Sequence, residues 1–219
     1  MNKKCVIFDL DGTLLNTLDD LKNSVNFALT ECGFEKRSRE EVCSFVGNGI
    51  ENLVRRSVPQ NTSEGDFKRC FEIFKSHYRV HSEDLTEEYD GITKMLNTLK
   101  NEDVLLAVVS NKADFAVKAL CNKYFPDLFN CVFGEREGIK RKPCPDSVNE
   151  VINTLGVKKE QCFYVGDSDV DVKTAYNAGI KCIACSWGFR SKDVLKRENP
   201  EYIIDSPDEI LNIVGVVVE

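Results

Sequence analysis

Short apolar runs separated by amphipathic segments are the feature of this chain that most constrains its fold. The runs lack the polar alternation of a strand that has one face in water, and this is typical of strands buried on both faces. The segments between them carry apolar residues at helical spacing. Strands that alternate with helices predict an α/β fold with a parallel sheet flanked by helices. The predicted strands are Cys5–Phe8, Val104–Val109, Cys131–Phe133, Cys162–Val165, Lys181–Cys185 and Tyr202–Ile204.

One long region interrupts this alternation, because only helical patterns occur over residues 15–88. Its first segment places Leu18 and Leu21 on one face of a helix. A chain of 219 residues is long enough for one or two domains. The pattern therefore predicts an α/β core formed by residues 1–14 and 89–219, with a small all-helical domain inserted after the first strand.

The composition argues against several classes of protein. The formal net charge is −7 and the sequence pI is about 5.1, whereas non-specific nucleic-acid binding needs a basic surface. The apolar run Cys5–Phe8 is too short for a signal peptide, and no stretch approaches the ~18 apolar residues of a membrane span. We therefore expect a cytoplasmic protein that binds neither nucleic acid nor membranes. The net negative charge is still compatible with an anionic substrate, because a local site can be positive within a negative protein.

The cysteines and histidines show no evident metal-binding or disulfide pattern. The ten cysteines are scattered over the chain, and several lie inside apolar runs, as small buried residues do in a reducing compartment. The single CxxC pair, Cys182 and Cys185, lies on a predicted strand, where residues three apart point to opposite faces. His77 and His81 have no cysteine or carboxylate at metal-binding spacing beside them. The sequence therefore predicts that both are ordinary surface or helical-domain residues.

Two aspartates follow the first apolar run directly, in the stretch DLDGT. Asp9 and Asp11 are two residues apart, so on an extended chain both side chains point to the same side. Gly12 allows a tight turn immediately afterwards. Two like charges at the end of a buried strand repel each other and lose hydration, so the arrangement calls for a cation.

Three further segments place polar side chains at the ends of predicted strands, the edge where open parallel sheets bind ligands. In VVSNK, Ser110 and Asn111 precede a predicted helix, which suits an anion, although Ser110 alone is more often an N-cap. In KRKPCPD, two prolines stiffen the loop around Lys142, within a charge run that is also typical of plain surface. In VGDSDVD, Asp167 and Asp171 can face one pocket, although acidic first turns of helices are common.

The four segments together predict a divalent metal site. Four carboxylates against one lysine leave a formal charge of about −3, which one Mg²⁺ ion reduces to about −1. Carboxylate oxygen is the ligand that Mg²⁺ prefers. Serine, asparagine, lysine and the metal then supply donors and positive charge for a phosphate. The charges counted are those of Asp9, Asp11, Asp167, Asp171 and Lys142.

The motifs DLDGT, VSN, KPCP and GDSDVD, in this order, resemble the four signature motifs of the haloacid dehalogenase superfamily. The resemblance covers nearly the whole chain and implies a Rossmann-like core. The helical insertion resembles the small helical cap of the first cap class of that superfamily. Within this class, the stretches FDLDGTLLNTLDDL and FVGNGIENLV most resemble the phosphoglycolate phosphatase-like enzymes. The resemblance therefore implies a phosphatase for a small phosphorylated metabolite, with phosphoglycolate as the leading candidate.

The resemblance also implies catalytic roles. Asp9 would be the nucleophile that forms an aspartyl-phosphate. Asp11 would protonate the leaving alcohol and then act as the base for the attacking water. Ser110 and Lys142 would hold the oxygens of the transferred phosphoryl group.

The resemblance implies ligand contacts as well. Mg²⁺ would be bound by Asp9, by the main-chain carbonyl of Asp11 and by Asp167, with Asp171 as a more distant or water-mediated ligand. The residues expected to contact the substrate are Gly12, Thr13 and Asn111. Many members of the superfamily carry an acid where this chain has Asn16, which we expect to affect the connection into the cap more than the chemistry.

Several alternatives stay open. The substrate could instead be pyrophosphate, a nucleotide or a sugar phosphate, and the chain could be a phosphosugar mutase, which returns the phosphate to a sugar. A non-catalytic binding protein would lack Asp9 or Asp11, and both are present. A glycosyltransferase that uses D-x-D as a metal clamp would leave Ser110 and Lys142 unexplained. The expected partner is a small phosphate ester, and the expected state is a monomer or a homodimer.

Overall fold

The computed structural model describes residues 3–47 and 49–216. The chain divides into two compact units, which we call unit 1 (residues 1–14 and 88–219) and unit 2 (residues 15–87). Asn48, which belongs to the FVGNGIENLV stretch, lies outside the described residues. In chain order the elements are β1 (Cys5–Phe8), β2 (Leu15–Asn16), α1 (Leu18–Glu31), α2 (Arg39–Phe45), α3 (Ile50–Ser57), α4 (Glu64–His81), β3 (Glu87–Glu88), α5 (Ile92–Asn101), β4 (Leu105–Ala113), α6 (Asp114–Tyr124), β5 (Cys131–Glu135), α7 (Asp146–Leu155), β6 (Cys162–Gly166), α8 (Asp169–Ala178), β7 (Lys181–Cys185), α9 (Lys192–Arg197), β8 (Tyr202–Ile204) and α10 (Glu209–Val214).

Unit 1 is built on a six-stranded parallel sheet with the strand order β5-β4-β1-β6-β7-β8. Strand β1 lies between β4 and β6, and all four of its residues are completely buried. Helices flank this parallel sheet, so unit 1 has an α/β fold, which confirms the predicted fold class. Strands buried on both faces explain why the sequence shows continuous apolar runs rather than alternation.

The helices of unit 1 cover the sheet through their apolar stripes. One continuous core cluster joins Ile7 of β1, Ala107 of β4 and Tyr164 of β6 to Val151 of α7 and Ala175 of α8. Each of these five side chains is at most 1% exposed. The burial of so much apolar surface fixes the strands in register, so the side chains at their carboxyl ends are held in place.

Strand β4 is longer than the sequence predicted. We expected it to end at Val109 before a helix, but it continues to Ala113, and α6 begins only at Asp114. After an irregular stretch, β4 pairs with β5 again, at Ala113 and Glu135. This second pairing gives the backbone hydrogen-bond partners that a helix would otherwise have supplied. The expectation that Ser110 stands at a helix start is therefore wrong.

Unit 2 contains the four helices α1 to α4, and its interior is formed mainly by α1 and α4. Leu21 and Val25 of α1 and Phe74 of α4 are almost completely buried. The expectation that no carboxylate lies beside the histidines is wrong. His81 Nδ1 lies 2.8 Å from a carboxylate oxygen of Asp84, because the chain turns back after α4 ends.

The described residues include no helix that is both long enough and apolar enough to cross a membrane. None of the ten cysteines, all of which lie within the described residues, forms a disulfide, and Cys182 and Cys185 are buried in unit 1, in agreement with the packing role predicted for them. The partly exposed thiols are those of Cys32, Cys43 and Cys144.

Candidate active site

The carboxyl ends of β1 and β6 place two of the predicted aspartates at one edge of the sheet. Phe8 pairs with Val165, and the main-chain N–H of Asp9 donates to the Val165 carbonyl oxygen at 2.9 Å. Asp9 follows β1 directly, and Asp167 follows β6 directly. Parallel strands end at the same edge, so the two carboxyl groups come together although 158 positions separate them in the sequence.

Lys142 joins three polar side chains at this edge. Its Nζ lies 2.9 Å from Asp9 Oδ1, 2.7 Å from Asp171 Oδ1 and 3.0 Å from the Tyr164 hydroxyl. The side chain of Lys142 is only 4% exposed, and that of Asp171 is completely buried. A buried ammonium group with two carboxylate partners is a strong, directional source of positive charge for an anionic ligand.

Burial and the neighbouring charges together set the pKa values of the side chains in this cluster. Burial alone would lower the pKa of Lys142, but the carboxylates of Asp171 and Asp9 outweigh it and hold that pKa well above its usual value. Burial raises the pKa of Asp9 to about 7, and Asp171 and Asp11 add to this, while Lys142 opposes it. Lys142 therefore stays charged, whereas Asp9 gives up its proton less readily than an ordinary aspartate until further positive charge arrives.

Asp171 is held by groups on both of its oxygens. Its Oδ2 accepts from the main-chain N–H of Ser168 at 3.1 Å and from the Ser168 hydroxyl, in the capping box that begins α8. Its Oδ1 accepts from Lys142 and lies 3.3 Å from the Tyr164 hydroxyl oxygen. The helix N-terminus thus orients a carboxylate whose main partner lies on another segment.

The side chain of Asp167 packs closely against the main chain of two glycines. Its Oδ2 accepts from the main-chain N–H of Phe189 at 2.6 Å. A Cβ atom added to Gly12 or to Gly188 would overlap the Asp167 side chain, and Gly12 also has a positive φ of 82°. Burial raises the pKa of Asp167 well above its usual value, and the charges of Asp171 and Asp9 contribute to the shift. The backbone is therefore shaped to admit a carboxyl group that costs free energy to ionise without a cation.

The donor set at this edge fits a hard divalent cation. One carboxylate oxygen from each of Asp9, Asp167 and Asp171 lies within 4.8 Å of the others. Oxygen-only ligands of this kind favour Mg²⁺ over softer metals. A dication would also offset the desolvation that raises the pKa of Asp9 and Asp167.

The side chain of Asp11 has a partner that the sequence analysis missed. Its Oδ1 lies 3.0 Å from Lys112 Nζ, and the Lys112 side chain is only 7% exposed. Asp9 and Asp11 therefore contact different lysines, and the charge count at this edge gains one positive charge. The sequence signal for this contact was the position of Lys112 in VVSNK. Lys112 directly follows the two polar residues that come after the predicted strand Val104–Val109.

The second missed residue is Tyr164, which the sequence placed in a buried strand. Its hydroxyl donates to the Val109 carbonyl oxygen at 3.0 Å and accepts from Lys142. A tyrosine inside a continuous apolar run is the signal that could have been used, because a buried phenol needs a hydrogen-bond partner.

Ser110 and Asn111 lie inside β4, on the strand that borders β1. Ser110 is 6% exposed, and its hydroxyl accepts from the main-chain N–H of Lys112 at 3.2 Å. The Asn111 amide binds the main chain of Lys142 twice, accepting at 2.8 Å and donating at 3.1 Å. Asn111 thus holds the loop that carries Lys142, and its predicted contact with substrate stays a prediction.

Gly12 and Thr13 form the turn after β1. Thr13 is completely buried, and its hydroxyl lies 3.4 Å from Asp167 Oδ1. The Thr13 carbonyl oxygen accepts from the indole N–H of Trp187 at 3.0 Å. These contacts fix the turn against the loop that follows β7, and the predicted substrate contacts of Gly12 and Thr13 stay predictions.

Comparisons with known proteins agree with this arrangement. A family model for haloacid dehalogenase-like hydrolases matches residues 6–185. A phosphoglycolate phosphatase from Pseudomonas syringae pv. tomato is 33% identical over 208 residues, which cover 92% of this chain and 76% of that relative. A pyrophosphatase from Halalkalibacterium halodurans is 28% identical over 217 residues, which cover 99% of both chains.

Solved structures extend the likeness to the fold. The crystal structure of a protein assigned as a phosphoglycolate phosphatase from Lactobacillus delbrueckii subsp. bulgaricus is 33% identical to this chain. It matches with a TM-score of 0.91 and covers 100% of both chains. The superfamily predicted from the four motifs is therefore confirmed. This chain belongs to the haloacid dehalogenase-like hydrolases and is a phosphatase of that family.

Proposed function

We propose that this phosphatase hydrolyses a small phosphate monoester through an aspartyl-phosphate on Asp9 and that it depends on Mg²⁺. The observation that carries the proposal is the buried cluster in which Lys142 joins Asp9 to Asp171, with Asp167 beside them. One cationic side chain, several carboxylates and a polar strand end supply what phosphoryl transfer needs, which is positioning and charge stabilisation.

In the first step, Asp9 attacks phosphorus and the bond from phosphorus to the ester oxygen breaks. Asp9 Oδ1 is held by the N–H of Leu10 at 2.7 Å and by Lys142, so we assign the attack to Oδ2. Asp11 donates a proton to the departing alkoxide and becomes a carboxylate. Lys112 holds the Asp11 side chain in place for this transfer.

In the second step, a water molecule attacks the phosphorus of the aspartyl-phosphate. Asp11 takes a proton from this water, the bond from phosphorus to Asp9 breaks, and inorganic phosphate leaves. The Asp11 side chain is 19% exposed and that of Asp9 is 12% exposed, so water reaches Asp11 more readily. One carboxyl group thus acts as the acid and then as the base, and Asp9 returns to its starting form.

Phosphate binding in this proposal depends on Ser110 and Lys142, which would hold the phosphoryl oxygens. The Mg²⁺ ion would be held by Asp9, by the main-chain carbonyl of Asp11 and by Asp167. Both oxygens of Asp171 are engaged by protein groups, so its role is to position Lys142 and to support the metal site. When bound, the metal would neutralise the carboxylates and the incoming phosphate dianion.

The leading substrate is phosphoglycolate, because several relatives at about 30% identity carry that name. Pyrophosphate is the second candidate, since a pyrophosphatase aligns over 99% of both chains. We further propose that unit 2 is the cap that selects the substrate. Cytoplasmic location and a monomeric or homodimeric state stay predictions.

The test is phosphate release from a panel of phosphoglycolate, pyrophosphate, nucleotides and sugar phosphates, with and without Mg²⁺. We expect Mg²⁺-dependent release, and we expect Asp9→Asn to reduce it to background because the amide cannot act as the nucleophile. The matched control is Asp169→Asn, since Asp169 is the first residue of α8, close in sequence to Asp167, but pairs with Lys173 and Arg190. Turnover in Asp9→Asn, or full activity after chelation, would contradict the proposal.

The intermediate needs its own measurement. Wild-type protein quenched in acid during turnover of a labelled ester should carry label that hydroxylamine removes, because hydroxylamine cleaves acyl phosphates. The label should map to Asp9 and should be absent from Asp9→Asn. Release of phosphate without any labelled protein would favour direct attack by water, and transfer of the label to a sugar would favour the mutase.

A further inference from the structure

The only two histidines of the chain form a pair on α4 of unit 2. His77 and His81 are four residues apart, so their side chains lie on the same face of the helix. Their ring centroids are 4.3 Å apart, and the rings are inclined at 31° to each other. Two imidazoles this close on one helix turn can offer nitrogen atoms to the same ligand.

Each ring is oriented through its Nδ1 atom. His77 Nδ1 lies 3.0 Å from the Ser24 hydroxyl of α1, and His81 Nδ1 lies 2.8 Å from the Asp84 carboxylate. The ring of Phe27 stacks on His77 with centroids 4.2 Å apart. The Asp84 carboxylate accepts from the Nδ1–H of His81, which leaves the lone pair of that ring on Nε2, as in the carboxylate–histidine–metal arrangement of metalloproteins. The Ser24 hydroxyl can donate to His77 Nδ1 or accept from it, and a cation at Nε2 selects the tautomer in which Ser24 accepts.

The surroundings of the pair favour a cation. Both rings line an open groove of about 600 Å³ on unit 2. The groove is also lined by the carboxyl groups of Asp20, Glu31 and Asp84, against the single ammonium group of Lys36.

We propose that His77 and His81 bind one divalent transition cation of borderline softness, such as Zn²⁺, through their Nε2 atoms. Water completes the coordination, while Asp84 and Ser24 hold the rings. Imidazole suits Zn²⁺ and Ni²⁺, whereas Mg²⁺ prefers oxygen, so this site differs in chemistry from the carboxylate cluster of unit 1. The inference does not depend on the proposed function, because none of these residues belongs to that cluster.

Binding would have a structural consequence within unit 2. The two rings lie in the last turns of α4, and their orienting partners lie on α1 and after the end of α4. A cation that binds only the folded arrangement stabilises it by mass action. Zn²⁺ should therefore raise the melting temperature of the wild-type protein.

The experiment is a Zn²⁺ titration of the whole chain with Mg²⁺ in excess and with the exposed thiols alkylated. Excess Mg²⁺ occupies the carboxylate cluster, and alkylation removes the partly exposed Cys32, Cys43 and Cys144 as ligands. Calorimetry gives the affinity. The imidazole resonances are followed by NMR, and they report only on this pair because the chain has two histidines.

We expect Zn²⁺ to shift the resonances of both rings. His77→Ala and His81→Ala should each weaken binding more than Asp84→Asn, which should cost about 10-fold or more as the loss of an orienting partner. Glu64→Gln is the matched control, because Glu64 lies on the same helix but pairs with Arg55 and does not line the groove. Its affinity for Zn²⁺ should equal that of the wild type.

Three results would overturn the inference: no shift of either ring, a shift of one ring only, or an affinity that survives the loss of either histidine. His81 is 44% exposed, so His81→Ala should keep the fold. Its circular dichroism melt without metal is measured beside the wild type to show this. The melting temperature should then rise with Zn²⁺ in the wild type and in Glu64→Gln but not in His81→Ala.

Discussion

The buried charged cluster of unit 1 and a surface ion pair of unit 2 differ in how much water reaches their side chains. In unit 1, the side chains of Lys142, Asp9 and Asp171 are 4%, 12% and 0% exposed and share one set of contacts. In unit 2, the ion pair between Arg55 and Glu64 has side chains that are 44% and 70% exposed. Both sets consist of cationic side chains and carboxylates, but only the set in unit 1 is desolvated.

The difference teaches which charges can do chemistry. An ion pair exposed to water adds little to the stability of the fold, because solvent screens the attraction and the side chains lose rotational freedom. A buried group is desolvated, so its pKa and its preferred partners depend on the few charges next to it. The cluster of unit 1 is therefore costly to assemble but ready to stabilise a charged transition state, whereas the surface pairs of unit 2 are replaceable.

The largest expected effect is that of Lys142→Met. It removes the shared cation and leaves Asp9 and Asp171 buried without it, which should destabilise the protein by about 3–5 kcal/mol. Turnover should fall by about 10²-fold or more, because a phosphate-binding charge is lost. Urea unfolding and phosphate release check this, with Lys140→Met as the exposed control in the same loop. Wild-type stability in Lys142→Met would break the comparison between the units.

Lys112→Met should act mainly on catalysis. Lys112 holds Asp11, so its loss should lower kcat by up to about 100-fold through misplacement of the acid and base, with a smaller effect on KM. Lys112→Arg keeps a positive charge and should recover part of the loss. Steady-state kinetics on the best substrate of the panel make the measurement. An unchanged kcat in Lys112→Met would show that the contact with Asp11 is incidental.

In protein freed of metal by a chelator, the pH dependence of the free energy of unfolding should report the protonation of Asp9. Its pKa is raised from 3.8 to about 7 in the folded state, so between these values the folded protein keeps a proton that the unfolded chain has lost. The contribution of Asp9 to stability therefore falls as pH rises through this window and is constant above it.

Melting temperatures at about pH 5.5 and about pH 8, with chelator and with Mg²⁺, measure the effect. A dication replaces the proton, so Mg²⁺ should stabilise the protein more at the higher pH. Asp9→Asn should reduce the slope seen in chelator. A stabilisation by Mg²⁺ that is equal at both pH values would show that the metal does not compete with this proton.

The smallest expected effect is that of Lys22→Met in unit 2. Its ammonium group lies 3.0 Å from Asp19, with side chains 29% and 32% exposed. The loss of such a pair should cost about 0.5 kcal/mol or less. Urea unfolding beside Lys142→Met gives the ratio of the two effects. A cost as large as that of Lys142→Met would show that burial does not separate the two units.

The sequence predicted the strands of unit 1 well because their signal is local. Cys5–Phe8 and Lys181–Cys185 begin and end where the apolar runs do. The extension of β4 to Ala113 could not be predicted, because Ser110, Asn111 and Lys112 are polar. The strand pairs with β5 again at Ala113, opposite Glu135, which is a contact between distant segments.

The candidate site shows the same limit. The four motifs could be recognised because each lies at or after the end of a strand that the sequence predicts, and a parallel sheet brings such ends to one edge. Lys112 and Tyr164 were missed because their roles depend on which charge lies opposite them in space. Asp84 beside His81 was missed for a similar reason, since the turn after α4 makes that contact.

The sequence by itself determined the α/β class, the buried strands, the helical insertion and the family, because short-range patterns and motif order carry that information. The tertiary structure alone decided which lysine holds which aspartate. Lys142 joins Asp9 to Asp171, and Lys112 holds Asp11. The physical reason is that electrostatic pairing and desolvation depend on distance and burial, and neither is encoded in the spacing of residues along the chain.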